Sequence, residues 1–203
     1  MKLTLRLLFI AVLLSNCKAI MMKAYKIKSP EIENKLTILK SANRYKLDTT
    51  NIFTVSSEYY LKKLKESNGI PNAAVYDTKG NYIEYRKTDT SCNAGLFEFI
   101  PKLKLDTVLN YKTKETLQNE LTKFRDLDGN VLVDVLNKNY DFYILIFNSV
   151  WTGNLNKDHV KVWEDLAKNN MKSKIQVFKI NLDIQEYWNK NEQEKIIKKL
   201  EGK

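Results

Sequence analysis

Apolar residues in this chain fall into runs and spacings that predict distinct elements. Phe142–Phe147 (FYILIF) is a continuous apolar run and reads as a strand covered on both faces. Ile175–Leu182 is a second buried strand. Between them, Asn156 to about Lys168 has helical spacing, with Leu155, His159, Trp163 and Leu166 near one face. Strand, helix, strand with so long a connection predicts a parallel pair, and hence an α/β sheet. Two β-prone runs, Ala73–Asp77 and Tyr82–Arg86, flank Thr78-Lys79-Gly80-Asn81 and predict a β-hairpin. Asn51–Val55 is a further short β-prone run.

The remaining pattern is helical or without period. Ser29 as N-cap, Pro30 at the first helical position and Glu31 and Glu33 in the first turn predict a helix start. Ile32, Leu36 and Leu39 would lie on its inner face. Ser57 is expected to cap a helix over Glu58–Glu66 that turns Tyr60, Leu61 and Leu64 inward and ends at Asn68-Gly69. Thr113 is expected to cap another, with Leu117, Leu121 and Phe124 on one face. Ile184–Leu200 reads as a final helix. Residues 87–111 have no clean period and read as loop, Asp128-Gly129-Asn130 as a turn, and Val131–Leu136 as either helix or strand.

The N-terminus changes the picture. Lys2 and Arg6 form a short positive region, and Leu7–Leu14 (LLFIAVLL) is an apolar run far short of the roughly 20 residues a bilayer span needs. Leu14-Ser15-Asn16-Cys17 follows and resembles the lipobox of bacterial lipoproteins, with Asn16 in place of the usual Gly, Ala or Ser. The resemblance implies that residues 1–16 are a signal peptide. Cys17 would then become the acylated N-terminus, 17–28 a tether, and 29–203 a single domain. An ordinary secretory signal or an uncleaved anchor with a chance Cys is the alternative.

Composition narrows the function classes. Gly and Pro are scarce, at 6 and 3 copies, and 43% hydrophobic residues suffice for a core. The net charge of +10 loses Lys2 and Arg6 with the signal, leaving +8, spread as lysines along the chain. No local Arg/Lys block points to nucleic acid, whereas an anionic membrane surface suits this distribution. With Cys17 lipidated, Cys92 is the one thiol left, so no intramolecular disulfide forms.

The stretch Ile144-Leu145-Ile146-Phe147-Asn148-Ser149-Val150-Trp151-Thr152-Gly153-Asn154-Leu155, with the strand ending Lys179–Asp183, resembles the first βαβ unit of the thioredoxin superfamily. In that family the first strand ends in Trp-Cys-x-x-Cys. Trp151 matches the Trp, and Thr152 and Leu155 stand where the cysteines would be. Gly69-Ile70-Pro71-Asn72-Ala73-Ala74-Val75-Tyr76-Asp77 resembles the family's cis-Pro segment and hairpin. That hairpin follows the βαβ unit in thioredoxins and precedes it here, so either the order is permuted or one match is accidental. The resemblance implies a thioredoxin-like mixed sheet flanked by helices. Thr152 and Leu155 supply neither the attacking nor the resolving thiol that disulfide exchange needs.

Other candidate residues are plainer. Cys92 sits in a small polar loop, Asp89–Gly95, and reads as an inert or buried thiol; Arg86 and Lys87 nearby leave a functional thiol as the alternative. The single His, His159, pairs with Cys92 only if the fold joins them. Phe124–Gly129 resembles a calcium loop, but Phe124 and Val135 would occupy ligand positions and coordinate nothing. Tyr59, Tyr60, Tyr82 and Tyr85 read as packing residues or an aromatic surface. The sequence thus predicts a cell-envelope protein, lipid-anchored to the outer or inner membrane and facing the periplasm. Its thioredoxin-like domain would work as a binding or structural module without cofactor, metal or nucleic acid, with an envelope protein as possible partner. The alternative is a single-cysteine thiol-redox protein using Cys92.

Overall fold

The computed structural model describes residues 20–67, 69–88, 93–106 and 108–200. The signal and Cys17, and the loop carrying Cys92, lie outside the described residues. The chain forms a six-stranded mixed sheet flanked by helices, a thioredoxin-like α/β arrangement.

The strands of this sheet are β2 (Ile52–Val55), β3 (Asn72–Asp77), β4 (Tyr82–Ile83), β5 (Phe124–Arg125), β6 (Phe142–Asn148) and β7 (Ile175–Asn181). Their order is β4-β3-β6-β7-β2-β5. β6 is buried along its whole length, as an apolar strand between two covered faces must be. It pairs in parallel with β7, Ile144 opposite Val177, and antiparallel with β3, Ile144 opposite Val75. β2 continues the parallel set beyond β7, and β5 closes the edge antiparallel to β2. The hairpin and the βαβ unit therefore share one sheet, with the hairpin earlier in the chain.

Alternation along the central strands feeds two cores. Ile144 and Ile146 face α1 (Lys35–Arg44), α3 (Leu96–Phe99) and α5 (Val162–Lys168), where Ile38, Leu96 and Trp163 are buried. Tyr143, Leu145 and Phe147 face the other way, toward α2 (Ser57–Glu66), α4 (Leu117–Leu121) and α6 (Lys190–Leu200), which supply Tyr60, Leu117 and Ile196. α5 is preceded by a π-helical turn, Asn156–Lys161.

Several boundaries differ from the sequence reading. Ile32–Glu33 is a strand, β1, paired in parallel with β8 (Ile184–Gln185). That pairing keeps both segments extended, so neither the helix expected from Ser29 nor that expected from Ile184 begins there. α1 instead starts at Asn34, whose side chain accepts from the Thr37 amide while Thr37 answers the Asn34 amide, a reciprocal cap. Its buried residues are Ile38 and Ala42, and Leu36 is exposed. Thr116 rather than Thr113 caps α4, and Phe124 pairs with Val55 in the sheet. Within 87–111, expected as loop, residues 93–102 form short helical turns that bury Leu96 and Ile100. Val131–Leu136 is neither helix nor strand beyond one bridge from Val131 to Arg125.

Candidate functional site

β6, β7 and β2 run in one direction, so their C-terminal ends share one edge of the sheet, where antiparallel β3 begins. Asn72 opens β3 opposite Phe147, and the Ile70–Pro71 peptide before it is cis. Pro71 thus lies at the same end as the segment Ser149–Leu155 that leaves β6.

That segment is built from backbone turns. Val150–Thr152 form a 3₁₀ turn and Gly153 takes φ of 60°. Thr152, at the position that resembles the family's nucleophile, is fully buried. Its hydroxyl donates to the Ser149 carbonyl at 2.7 Å. A threonine committed in this way closes its own turn. Trp151 and Leu155 are half-buried.

Beneath the loop lies a buried polar layer centred on Asp183, which is 1% exposed. Its carboxylate accepts from the Ser149 hydroxyl, from the Val150 amide at 2.7 Å and from the Asn181 side-chain amide at 2.6 Å. Burial pushes the Asp183 pKa up to about 6, against these hydrogen bonds, which pull it down. Asn156 donates to the Ser149 carbonyl at 2.8 Å, which ties the π-helical turn to the same layer. Gln185 donates to the Asn181 side chain at 3.0 Å, and Tyr60 buries its hydroxyl nearby without a partner. Sequence reasoning picked out the strand ending at Asp183 but not the network. The signal available was four polar residues, Asn148, Ser149, Asn181 and Asp183, closing two apolar strands.

The stretch 18–28, expected as a tether, is engaged with this site over its described part. Residues 20–24 are helical, and the chain then crosses the 151–154 loop. The Lys28 amide donates to the Trp151 carbonyl at 2.9 Å, and the Asn154 amide to the Tyr25 carbonyl at 2.7 Å. A Cβ on Gly153 would meet the Tyr25 oxygen at 2.3 Å and the Lys26 oxygen at 2.5 Å, so only glycine admits this crossing.

The residue after Cys92, Asn93, donates to the Pro71 carbonyl at 3.0 Å and accepts from the Tyr85 hydroxyl at 2.7 Å. His159 is held against Phe97 and Trp163 as an aromatic packing residue. Tyr60, Tyr82 and Tyr85 are buried in the two cores and Tyr59 is half-exposed, so they form no open aromatic surface. Asp126 accepts from the amides of Asp128 and Asn130 and from the Asn130 side chain, closing its own turn. Among the described residues no cluster of three His, Cys, Asp or Glu could hold a metal ion, and no helix is long and apolar enough to cross a membrane. A cavity of about 110 Å³ opens beside the start of β3, between Asn72, Tyr76 and Phe147, where Lys63, itself paired with Glu120, forms part of the wall.

No protein-family model, curated protein or solved structure matches the chain.

Proposed function

We propose that this protein is a lipid-anchored cell-envelope protein whose thioredoxin-like domain has lost redox chemistry and serves as a binding or structural module. The observation that supports this most is Thr152. Disulfide exchange starts with a thiolate attacking a disulfide sulfur. At the corresponding point this chain offers a buried hydroxyl bound to the Ser149 carbonyl, and Leu155 has no sulfur to release a mixed disulfide. The hairpin ahead of the βαβ unit is then a permuted order of the same sheet. The anchor rests on Leu14-Ser15-Asn16-Cys17.

A second reading uses Cys92 as a lone redox thiol, through intermolecular disulfides or peroxide. It is favoured by the bond from Asn93 to the Pro71 carbonyl, which ties that loop's end to the cis-Pro segment.

One preparation tests both readings. The membrane-extracted protein should show no turnover in an insulin-type disulfide reduction assay, with Cys92→Ser changing nothing, while Cys17→Ala releases the chain from membranes. Turnover that disappears in Cys92→Ser promotes the second reading. Membrane retention unchanged in Cys17→Ala removes the anchor.

A further inference from the structure

Segment 20–28, the described part of the stretch after Cys17, is neither free nor buried. Its described start exposes three large apolar side chains in succession, Ile20 at 64%, Met21 at 58% and Met22 at 38%. From Cys17 to Pro30 the sequence carries Lys18, Lys23, Lys26 and Lys28 and no acidic residue. Immediately after the apolar residues, the main chain is fixed to the 151–154 loop from both sides, by the Lys28 and Asn154 amides. An exposed apolar triplet, a run of lysines without acidic residues and a main-chain attachment to the loop at the sheet end thus occur within nine residues.

We infer that segment 20–28 is an interfacial docking surface for an anionic bilayer, and that it holds the C-terminal ends of the parallel strands, with Trp151, against the membrane. This rests on the reading of Cys17 as the lipidated residue. Two features single out a bilayer as the occupant. Charge is the first: the lysines complement an anionic leaflet, each strengthening attachment by roughly fivefold when held near it. Reach is the second: Ile20 is three residues from Cys17, at most about 11 Å of extended chain. Acyl chains on Cys17 therefore keep Ile20–Met22 at headgroup depth, where apolar faces of interfacial segments settle about 5–10 Å deep. Because Tyr25–Lys28 is pinned to the sheet, the orientation of the segment becomes the orientation of the domain. The end of the sheet that carries Trp151 and Pro71 would then face lipid, leaving the opposite end and the helical faces for any protein partner.

Tryptophan fluorescence reads this directly. Trp163 and Trp188 are buried, at 0% and 6% exposure, and serve as an internal background for half-exposed Trp151. The mature chain, its acyl mass checked by mass spectrometry, is reconstituted in vesicles of phosphatidylcholine and phosphatidylglycerol in equal parts, with and without lipid carrying a doxyl quencher high on the acyl chain. Quenching should appear with the doxyl lipid, vanish in Trp151→Phe, and fall by at least about half when Lys23, Lys26 and Lys28 are all changed to Glu. A protein with its acyl mass that floats with the vesicles but shows no Trp151 quenching overturns the docking and leaves the anchor standing. So does a cross-linked dimer that shields residues 20–28 without quenching. A chain without the acyl mass overturns the anchor, and the docking falls with it.

Discussion

Asp183 carries a charge-sensitive role at the scale of one residue. Its folded pKa of about 6 exceeds the ordinary 3.8 because burial disfavours the carboxylate. The folded state therefore holds a proton that the unfolded chain has already lost between those values, and stability falls as pH rises from about 4 to about 6. Two pKa units correspond to on the order of 3 kcal/mol. Glu84 acts in the opposite sense at lower pH. Hydrogen bonds and charge from Arg86 outweigh its burial and hold it down near 2, so its contribution is present above its ordinary 4.5 and is lost as pH falls toward 2. Comparing the protein with Asp183→Asn cancels such terms. The difference in urea-unfolding free energy between the two should shrink by that amount across the upper window and stay flat above it. A difference independent of pH from 4 to 7 would mean that Asp183 stays ionised across that range in the folded state.

At the scale of elements, β7 and α5 are joined by ions as well as by packing. Lys179 is 2% exposed on β7, and its ammonium meets Glu164 on α5 at 2.7 Å. The second Glu164 oxygen accepts the Asp48 amide at 3.0 Å, which brings in the chain between α1 and β2. Removing one member of a buried pair strands the other charge, so Lys179→Met should cost about 3–5 kcal/mol. Lys179→Met with Glu164→Met should cost much less, apart from about 1 kcal/mol for the Asp48 amide left without its acceptor. Urea midpoints of the four species close the cycle. A loss in the double variant equal to the sum of the two single losses would show that the pair is not coupled. Nothing in the periodicity of Ile175–Leu182 signals that its lysine is buried, because the partner is set by helix placement. The same limit explains the misplaced helix starts. Ser29-Pro30 is a good local start signal, but Ile32 finds Ile184 across the fold, and that pairing prevails over local preference. By contrast, β6, β7 and the hairpin were legible, since their apolar runs need two covered faces whatever the neighbours are. At the site, Pro71 and Trp151–Leu155 could be read as fragments of one end of a sheet. The Asp183 layer and the crossing of Tyr25–Lys28 could not, because both depend on contacts between segments more than 30 residues apart.

The whole molecule is stable from its centre outward, and this is open to measurement. β6 has a paired strand on each side and a core on each face, with Ile144, Leu145 and Ile146 all at 0% exposure. Its amides can reach water only if the sheet comes apart. The edges are much thinner, since β4 and β5 contribute two residues each. Thinner still is the N-terminal crossing, where the Lys28 and Asn154 amides are bound to carbonyls across a loop boundary, outside the six-stranded sheet. Opening free energies in native proteins are lower at attachments held by few bonds than in central strands, where they reach the global value. Native-state hydrogen exchange should therefore place Ile144, Leu145 and Ile146 in the slowest class. Their exchange should follow the global unfolding free energy and depend on denaturant. Lys28 and Asn154 should exchange together, faster, and with little denaturant dependence, because releasing the crossing exposes little surface. Gly153→Ala, whose Cβ would collide with the Tyr25 and Lys26 carbonyls, should accelerate Lys28 by at least tenfold, about 1.4 kcal/mol. Some of that loss would come from strain at a positive φ, so the Lys28 rate is compared with that of Leu145 in the same variant. Equal acceleration at both positions would make the glycine a general requirement of the fold. Acceleration confined to Lys28 and Asn154 would identify it as the seat of the crossing.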